Sequence, residues 1–307
     1  MRAAVFDRFG PPDVLHLADL PDPEPGPGEV RVRVRAAGVQ PFDVAVRSGR
    51  MPWAKVSFPQ QIGQEYAGVV DSVGAGVVGL EVGDAVLGST MMSAYAELVV
   101  ASASNVVRKP DRLDLPTAAA LVAASQTASG ALLELGVRGD DVLLVHAAAG
   151  SVGTVAVQLA RAEGATVIGT ASPGNHDYLR RLGAIPVAYG PGLVSQIRAR
   201  GLTPTVALDA AGGEAIAQSV SLGIAPDRVG TIVDDKAAAE HGARVVRAGR
   251  SPERLARVID LAARGRVTMP VRAYPFTDVV AAHAAVESRH GRGKVVLIIE
   301  PGGPVSS

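Results

Sequence analysis

Four consecutive apolar positions, Val142 to Val145, run into a cluster of small residues in the stretch 141–153, DVLLVHAAAGSVG. An unbroken apolar run of this length predicts a strand buried on both faces, as a parallel sheet requires, and the small residues predict a tight turn into a helix. Over 154–162 the spacing of Val155, Leu159 and Ala162 gives one apolar helical face, and Gly164 stops the helix. TVIGTA at 166–171 supplies a second buried strand, completing a βαβ unit of roughly thirty residues. Strands at 185–189, 206–209, 229–233 and 243–246, with helices at 177–182 and 251–264, continue the alternation and predict a doubly wound parallel sheet.

The first third of the chain follows another rhythm. Residues 29–35 alternate strictly, with Val30, Val32 and Val34 facing a core and Glu29, Arg31, Arg33 and Arg35 facing solvent. Short β-runs of this kind, separated by Pro and Gly, extend to about residue 115 and predict an all-β domain. The Pro-rich 21–28 is a connection, and Asp84, after Gly83, is a turn residue. At 115–135 the composition shifts to an alanine-rich helix. The expected division is 1–115, a β domain; 116–265, a sheet-and-helix domain; and 266–307, two strands and a helix returning to the first.

Length supports two domains, because 307 residues exceed one ordinary core. With 30 basic and 30 acidic residues there is no electrostatic footprint for nucleic acid or an anionic membrane. The absence of cysteine excludes disulfides, thiolate nucleophiles and cysteine zinc sites. No stretch is long and apolar enough to span a bilayer, and charges interrupt the first ten residues, so a cytosolic protein is expected, with PGGPVSS as a frayed tail. His16, His241, His283 and His290 stand singly in surface-like or helical contexts, His146 reads as a core residue, and no nucleophile elbow is visible.

The chemistry of the small-residue turn is that of dinucleotide binding. Gly150 lets the backbone approach a pyrophosphate and Gly153 lets the helix pack close to the strand, while residues Ala149, Gly150, Ser151, Val152 and Gly153 bring helix N-terminal N–H groups to the anion. Ala148 stands where a first glycine is usual. NAD-specific sites place a carboxylate about twenty residues further on, against the ribose 2′-OH. Here 172–176 reads Ser-Pro-Gly-Asn-His, with no acid before Asp177. Ser172 and Asn175 can hydrogen-bond a 2′-phosphate and His176 can add partial charge, so NADPH is the expected cofactor.

Five segments in order, GVQPFDVAVRSG, IGQEYAGVVDSVG with VGDAV, AAAGSVGTVAVQLARAEGA, LDAAGG and RGKVVLII, make the chain resemble the medium-chain dehydrogenase/reductase family, in its zinc-free, zeta-crystallin-like quinone oxidoreductase branch. The resemblance implies an α/β protein: a chaperonin-10-like β-barrel domain completed by the C-terminal segment, a Rossmann domain, and a cofactor in the cleft between them. It also implies a homodimer, paired through a strand such as 229–233. Where zinc members of the superfamily carry Cys and His, this chain has Gln40 and Gln64, which are poor zinc ligands, so no metal is expected. Gln126 and Thr127 match positions facing the nicotinamide ribose and diphosphate, and Tyr189 lies near the phosphate or is an ordinary strand-end tyrosine. Arg292 and Lys294, in the closing motif, reach the cofactor or sit in a solvated turn. The implied reaction is hydride transfer from C4 of NADPH to a quinone or the β-carbon of an enone. Gln40 would donate to the substrate carbonyl. Asp43 either pairs with Arg47 or caps a helix; Tyr66 is a proton donor by position or barrel core; Trp53, in the loop 50–58, is a lid over a flat substrate, and the loop 234–241 also shapes the pocket. The rival expectations are an NADPH-binding redox sensor or structural protein, and an enoyl-thioester reductase serving a carrier.

Overall fold

The computed structural model describes residues 1–288 and 291–300; His290 and the expected frayed tail lie outside them. Two compact units emerge: Met1–Ala123, Leu255–Arg264 and Met269–Ser307 form one, and Ala124–Arg254 with Gly265–Thr268 form the other. The division falls inside the helix Leu115–Glu134, whereas composition places it at that helix's start. The early turns go with the β-rich unit because the Ala123 N–H donates to Glu65 Oε2 of its sheet (2.6 Å). Residues 265–268 go with the other unit because Thr268 and Gln158 exchange hydrogen bonds, Thr268 N–H to Oε1 at 2.8 Å and Nε2 to Thr268 O at 2.9 Å.

At the centre of the first unit is the eleven-residue strand Glu29–Val39, antiparallel to Glu65–Val73, Leu98–Ser102 and Lys294–Ile298. Val30, Val32 and Val34 are buried, as the alternation predicts. On the opposite face Arg31 and Arg33 converge on Asp71. The C-terminal segment does return: Val271–Pro275 lies parallel on Lys294–Ile298, and Phe276, Val279 and Leu297 join the valines, Tyr66 and Tyr95 in one core.

The second unit holds a six-stranded, all-parallel sheet in the spatial order Ile185–Ala188, Thr166–Ala171, Val142–His146, Val206–Asp209, Val229–Thr231, Arg244–Val245. In chain order that is 3-2-1-4-5-6, the Rossmann arrangement, with its crevice beyond the carboxyl ends of the first and fourth strands. Two expectations need correction. Val229–Thr231 is bonded on both sides and has no free edge for a second subunit; the edges are Ile185–Ala188 and Arg244–Val245. Residues 234–241 are not a loop: Asp234 caps the helix Asp235–His241 by accepting from the Ala237 N–H (3.0 Å), and Gly242, at φ +66°, ends it in the left-handed region. Among the described residues no helix is long and apolar enough to cross a membrane.

Candidate functional site

In the second unit the first strand, Val142–His146, is followed by Ala147, whose φ of +56° is uncommon for a residue with a side chain. The turn is pinned to the neighbouring strand: Ala147 N–H donates to Thr170 Oγ1 (3.2 Å) and Ala148 N–H to Thr170 O (3.0 Å). Gly150 then stands at the N-cap of the helix Ser151–Ala162 with no side-chain cap. The N–H groups of Ser151, Val152 and Gly153 therefore lack intrahelical acceptors and form a cradle for an anion. The two glycines act differently. A Cβ on Gly153 would sit 2.5 Å from Ala147 O and 2.6 Å from Ala148 Cα, whereas one on Gly150 would meet only Ala147 O, at 3.3 Å. Gly153 serves helix–strand packing, and Gly150 leaves open space above the turn. Ala148 is tolerated because its methyl fills the space over Gly169, where a Cβ would come within 2.8 Å of it.

Ser172, Asn175 and His176 gather at the end of the second strand. Asn175 Nδ2 donates to Ser172 Oγ (3.3 Å), and a His176 ring nitrogen is 3.3 Å from Ala171 O. Tyr189 follows the adjacent strand and is exposed. Asp177, the first acid after the turn, pairs with Arg180. Gln126 spends its amide on the backbone of Ser251, with Nε2 to O at 2.9 Å and N–H to Oε1 at 3.0 Å, which leaves Thr127, half-buried, as the freer of that pair. Asp209 organises the crevice edge. Its Oδ1 accepts from the N–H groups of Ala211 and Gly212 (both 2.8 Å) and its Oδ2 from the Thr231 hydroxyl (2.7 Å). Beside it, His146 Nε2 is 2.9 Å from Ser219 Oγ. This Ser-His-Asp grouping is fully buried, Ser219 already donates to Ala215 O, and burial lowers the His146 pKa to about 4, so the imidazole is a neutral core group and the grouping has no nucleophile chemistry.

In the first unit the helix Pro41–Arg47 starts at Gln40. Asp43 is its cap partner, not a partner of Arg47: Asp43 Oδ2 accepts from the Gln40 N–H (3.0 Å) and from the Tyr95 hydroxyl (2.6 Å), while Arg47 binds Glu287 (3.0 Å) and Gly10 O (3.1 Å). Gln40 Nε2 donates to Gln64 Oε1 (2.8 Å), and Gln64 Nε2 lies 3.7 Å from Met91 Sδ. Trp53 is 64% exposed and its ring centroid stands 5.6 Å from that of Phe42, two positions after Gln40 in the chain.

For Tyr66 the core reading holds, and two other residues of this unit, Lys294 and His283, lie elsewhere than expected. Tyr66 is fully buried in the core, where burial pushes its phenol upward and no substrate can reach its proton. Lys294 is buried and ion-paired with Glu65, a partner 229 positions earlier, so it does not reach toward a cofactor; Arg292 is exposed. His283 is not surface-like: it is fully buried edge-on to Tyr95, and burial, with the Arg47 charge, lowers its pKa to about 3. Glu65 and Tyr95 were missed as site-building residues. A carboxylate inside the apolar run EYAGVV was the available signal for the first; nothing in the local pattern marks the second. A cavity of about 1000 Å³ in this unit is lined by Arg2, Arg33, Arg35, Glu97, Tyr274 and Phe276 among others, and by none of the candidates.

Burial raises the Asp43 pKa to about 7, offset in part by the Tyr95 hydrogen bond and the Lys294 charge. Between the ordinary carboxylate range and pH 7 the folded chain holds this proton and the unfolded chain does not, so stability falls as pH rises through that window and then levels. The loss amounts to a few kcal/mol. Denaturant titrations of wild type and Asp43→Asn at pH 4 to 8 are expected to show this decline in the wild type alone; parallel curves would contradict it.

Comparison with known proteins bears on both units. Residues 26–111 match the alcohol dehydrogenase GroES-like domain and residues 198–297 match the zinc-binding dehydrogenase family. The quinone oxidoreductase of Pongo abelii is 37% identical over 174 residues, 56% of this chain and 53% of that protein, so the match spans about half the length of such curated relatives. Among solved structures, the Coxiella burnetii quinone oxidoreductase is 30% identical with a TM-score of 0.87, covering 98% of this chain and 99% of that one. The Escherichia coli quinone oxidoreductase complexed with NADPH is 26% identical (TM-score 0.86; 97% and 100% covered). The CurK enoyl reductase is 25% identical (TM-score 0.86; 97% and 99% covered). Zinc, which the second domain family's description names, does not fit the donors present: Gln40 and Gln64 are amides spent on each other, and the described residues contain no group of His, Asp and Glu that could hold a metal. With a GroES-like segment, a Rossmann sheet and a near full-length likeness to a quinone oxidoreductase, the chain belongs to the medium-chain dehydrogenase/reductase family, in its quinone oxidoreductase branch.

Proposed function

We propose that the protein is an NADPH-dependent reductase that passes hydride, without a metal, to a quinone or an α,β-unsaturated carbonyl. The observation that carries the cofactor choice is the loop after the second Rossmann strand, where Ser172, Asn175 and His176 gather and no carboxylate opposes a 2′-phosphate. The NADPH in the Escherichia coli relative supports the same choice. Bound NADPH supplies the hydride from C4 of its nicotinamide. The chain binds and orients: N–H groups of Ser151, Val152 and Gly153 hold the diphosphate beside the open face of Gly150, Thr127 faces the ribose, and Ser172, Asn175 and Tyr189 hold the 2′-phosphate. Gln40 donates to the acceptor carbonyl as charge gathers on its oxygen, and Trp53 with Phe42 offers a flat acceptor a stacking surface. The protein works in the cytoplasm as a homodimer.

NADPH oxidation over a panel of quinones and enones tests the reading; bound NADPH with no turnover of any acceptor would leave only a binding protein. The likeness to the CurK enzyme favours enoyl thioesters as a second acceptor class, and an enoyl-thioester substrate in the panel separates the two. Ser172→Asp puts a carboxylate where the 2′-phosphate sits, so the KM for NADPH is expected to rise roughly tenfold or more while that for NADH changes little. Equal shifts for both nucleotides would remove the assignment of this loop.

A further inference from the structure

A glutamine amide has two ends of nearly equal shape and a broad, roughly two-fold terminal torsion, so an untethered Gln40 would show a substrate its oxygen as readily as its nitrogen. In this protein the choice is made two residues away. Met91 Sδ can only accept, so the Gln64 carboxamide turns its Nε2 toward the sulfur (3.7 Å) and leaves its Oε1 facing Gln40. Gln40 answers with Nε2, at 2.8 Å. Gln64 is 7% exposed, so water competes poorly for either contact. A flip of one amide alone would set two N–H groups or two carbonyl oxygens against each other.

We propose that Gln64 is a positioning residue for Gln40: the chain Met91 Sδ, Gln64, Gln40 locks the Gln40 carboxamide with its nitrogen end fixed, so that its second Nε2 hydrogen, without a partner among the described residues, is the donor offered to an acceptor carbonyl. The proposal rests on the reductase reading and sharpens it. The acceptor must carry an oxygen that gains negative charge as hydride arrives, and a substrate presenting at that point an N–H with no lone pair to accept is refused. Two positions that hold zinc ligands elsewhere in the superfamily are here converted into a one-directional hydrogen-bond donor.

The test uses the full-length protein with NADPH and 1,4-naphthoquinone, and four variants: Gln40→Leu, Gln64→Leu, their double, and Gln64→Glu. NADPH affinity and thermal unfolding of each variant identify any that fail to fold. Gln64→Leu is expected to lower kcat about tenfold with little change in KM, and Gln64→Glu, which keeps an acceptor oxygen for Gln40, to recover most of that loss. The double variant should be no slower than Gln40→Leu alone, because Gln64 acts only through Gln40. Wild-type kcat in Gln64→Leu, or full additivity in the double, overturns the proposal. The side-chain amide resonances of Gln40 give a readout without turnover: one hydrogen-bonded proton in the wild type, lost in Gln64→Leu. If the wild type reduces no acceptor, the reductase reading fails while this signal still decides whether Gln64 anchors Gln40; an unchanged signal in Gln64→Leu removes the anchor.

Discussion

Gly153→Ala is expected to destabilise the nucleotide-binding unit by about 3 kcal/mol or more and to lower its thermal midpoint by roughly 10 °C. The added methyl meets backbone atoms, Ala147 O and Ala148 Cα, and no side chain can rotate to relieve the contact. The helix Ser151–Ala162 must move off the strand Val142–His146, which loosens the Val155 and Ala156 packing beneath it. Gly150→Ala is the informative contrast. Gly150 has φ −71°, a conformation that alanine adopts freely, and its methyl would meet only Ala147 O at 3.3 Å. Stability should change by less than about 1 kcal/mol, while NADPH affinity drops at least tenfold because the methyl occupies the diphosphate's approach. Calorimetry and fluorescence titration of the two variants separate packing from binding. A stable Gly153→Ala, or a Gly150→Ala that binds NADPH as wild type does, would break the division of labour assigned to the turn.

Lys294→Met should cost about 3–5 kcal/mol, since it leaves the fully buried Glu65 carboxylate without its cation. One strong contact survives, the Ala123 N–H on Oε2, and it cannot replace a full charge. The loss should also push the Asp43 titration higher, because Lys294 is one of the groups holding that pKa down. Glu65→Gln with Lys294→Met removes both charges and is expected to regain most of the stability, as apolar or neutral replacement of a buried pair commonly does. Denaturant unfolding of the single and double variants reads this directly; a double variant no better than Lys294→Met would show that the pair is not the reason for the loss.

Much of the architecture was legible because it is written in short-range periodicity. The alternation at 29–35 names the buried valines, and the apolar run, small-residue turn and helix at 142–162 name the nucleotide-binding turn without any knowledge of the rest of the chain. What the pattern cannot carry is lateral order. Val229–Thr231 looks like any other short strand, and only the assembled sheet shows it enclosed between two neighbours. Residues 234–241 read as a loop because a seven-residue helix carries little periodicity, although Asp234 and Gly242 are ordinary start and stop signals.

The site divides in the same way. The groups proposed to hold the diphosphate lie on consecutive residues of one turn, so spacing alone suggests them. The acceptor side depends on meetings between distant segments: Gln40 with Gln64 and Met91, Asp43 with Tyr95, Glu65 with Lys294. Tyr66, on the strand Glu65–Val73, and Tyr95, just ahead of Leu98–Ser102, are both buried, and only the fold shows that the second, not the first, touches a carboxylate beside Gln40. Gln126, a polar residue in an alanine-rich helix, reads either as a ligand contact or as a plain polar interruption, and only the fold shows its amide engaged by a backbone partner 125 residues away.

The pairing of Glu29–Val39 with Lys294–Ile298 sets an order of events during synthesis on the ribosome. The central strand of the first unit is made early, yet it waits for a partner, Lys294–Ile298, that follows the whole of the second unit's sheet in the chain. The second unit has all six of its strands by residue 245. A growing chain thus completes the six-stranded sheet of the second unit before the first unit that precedes it, and until Lys294–Ile298 is made the valine face of Glu29–Val39 is only partly covered.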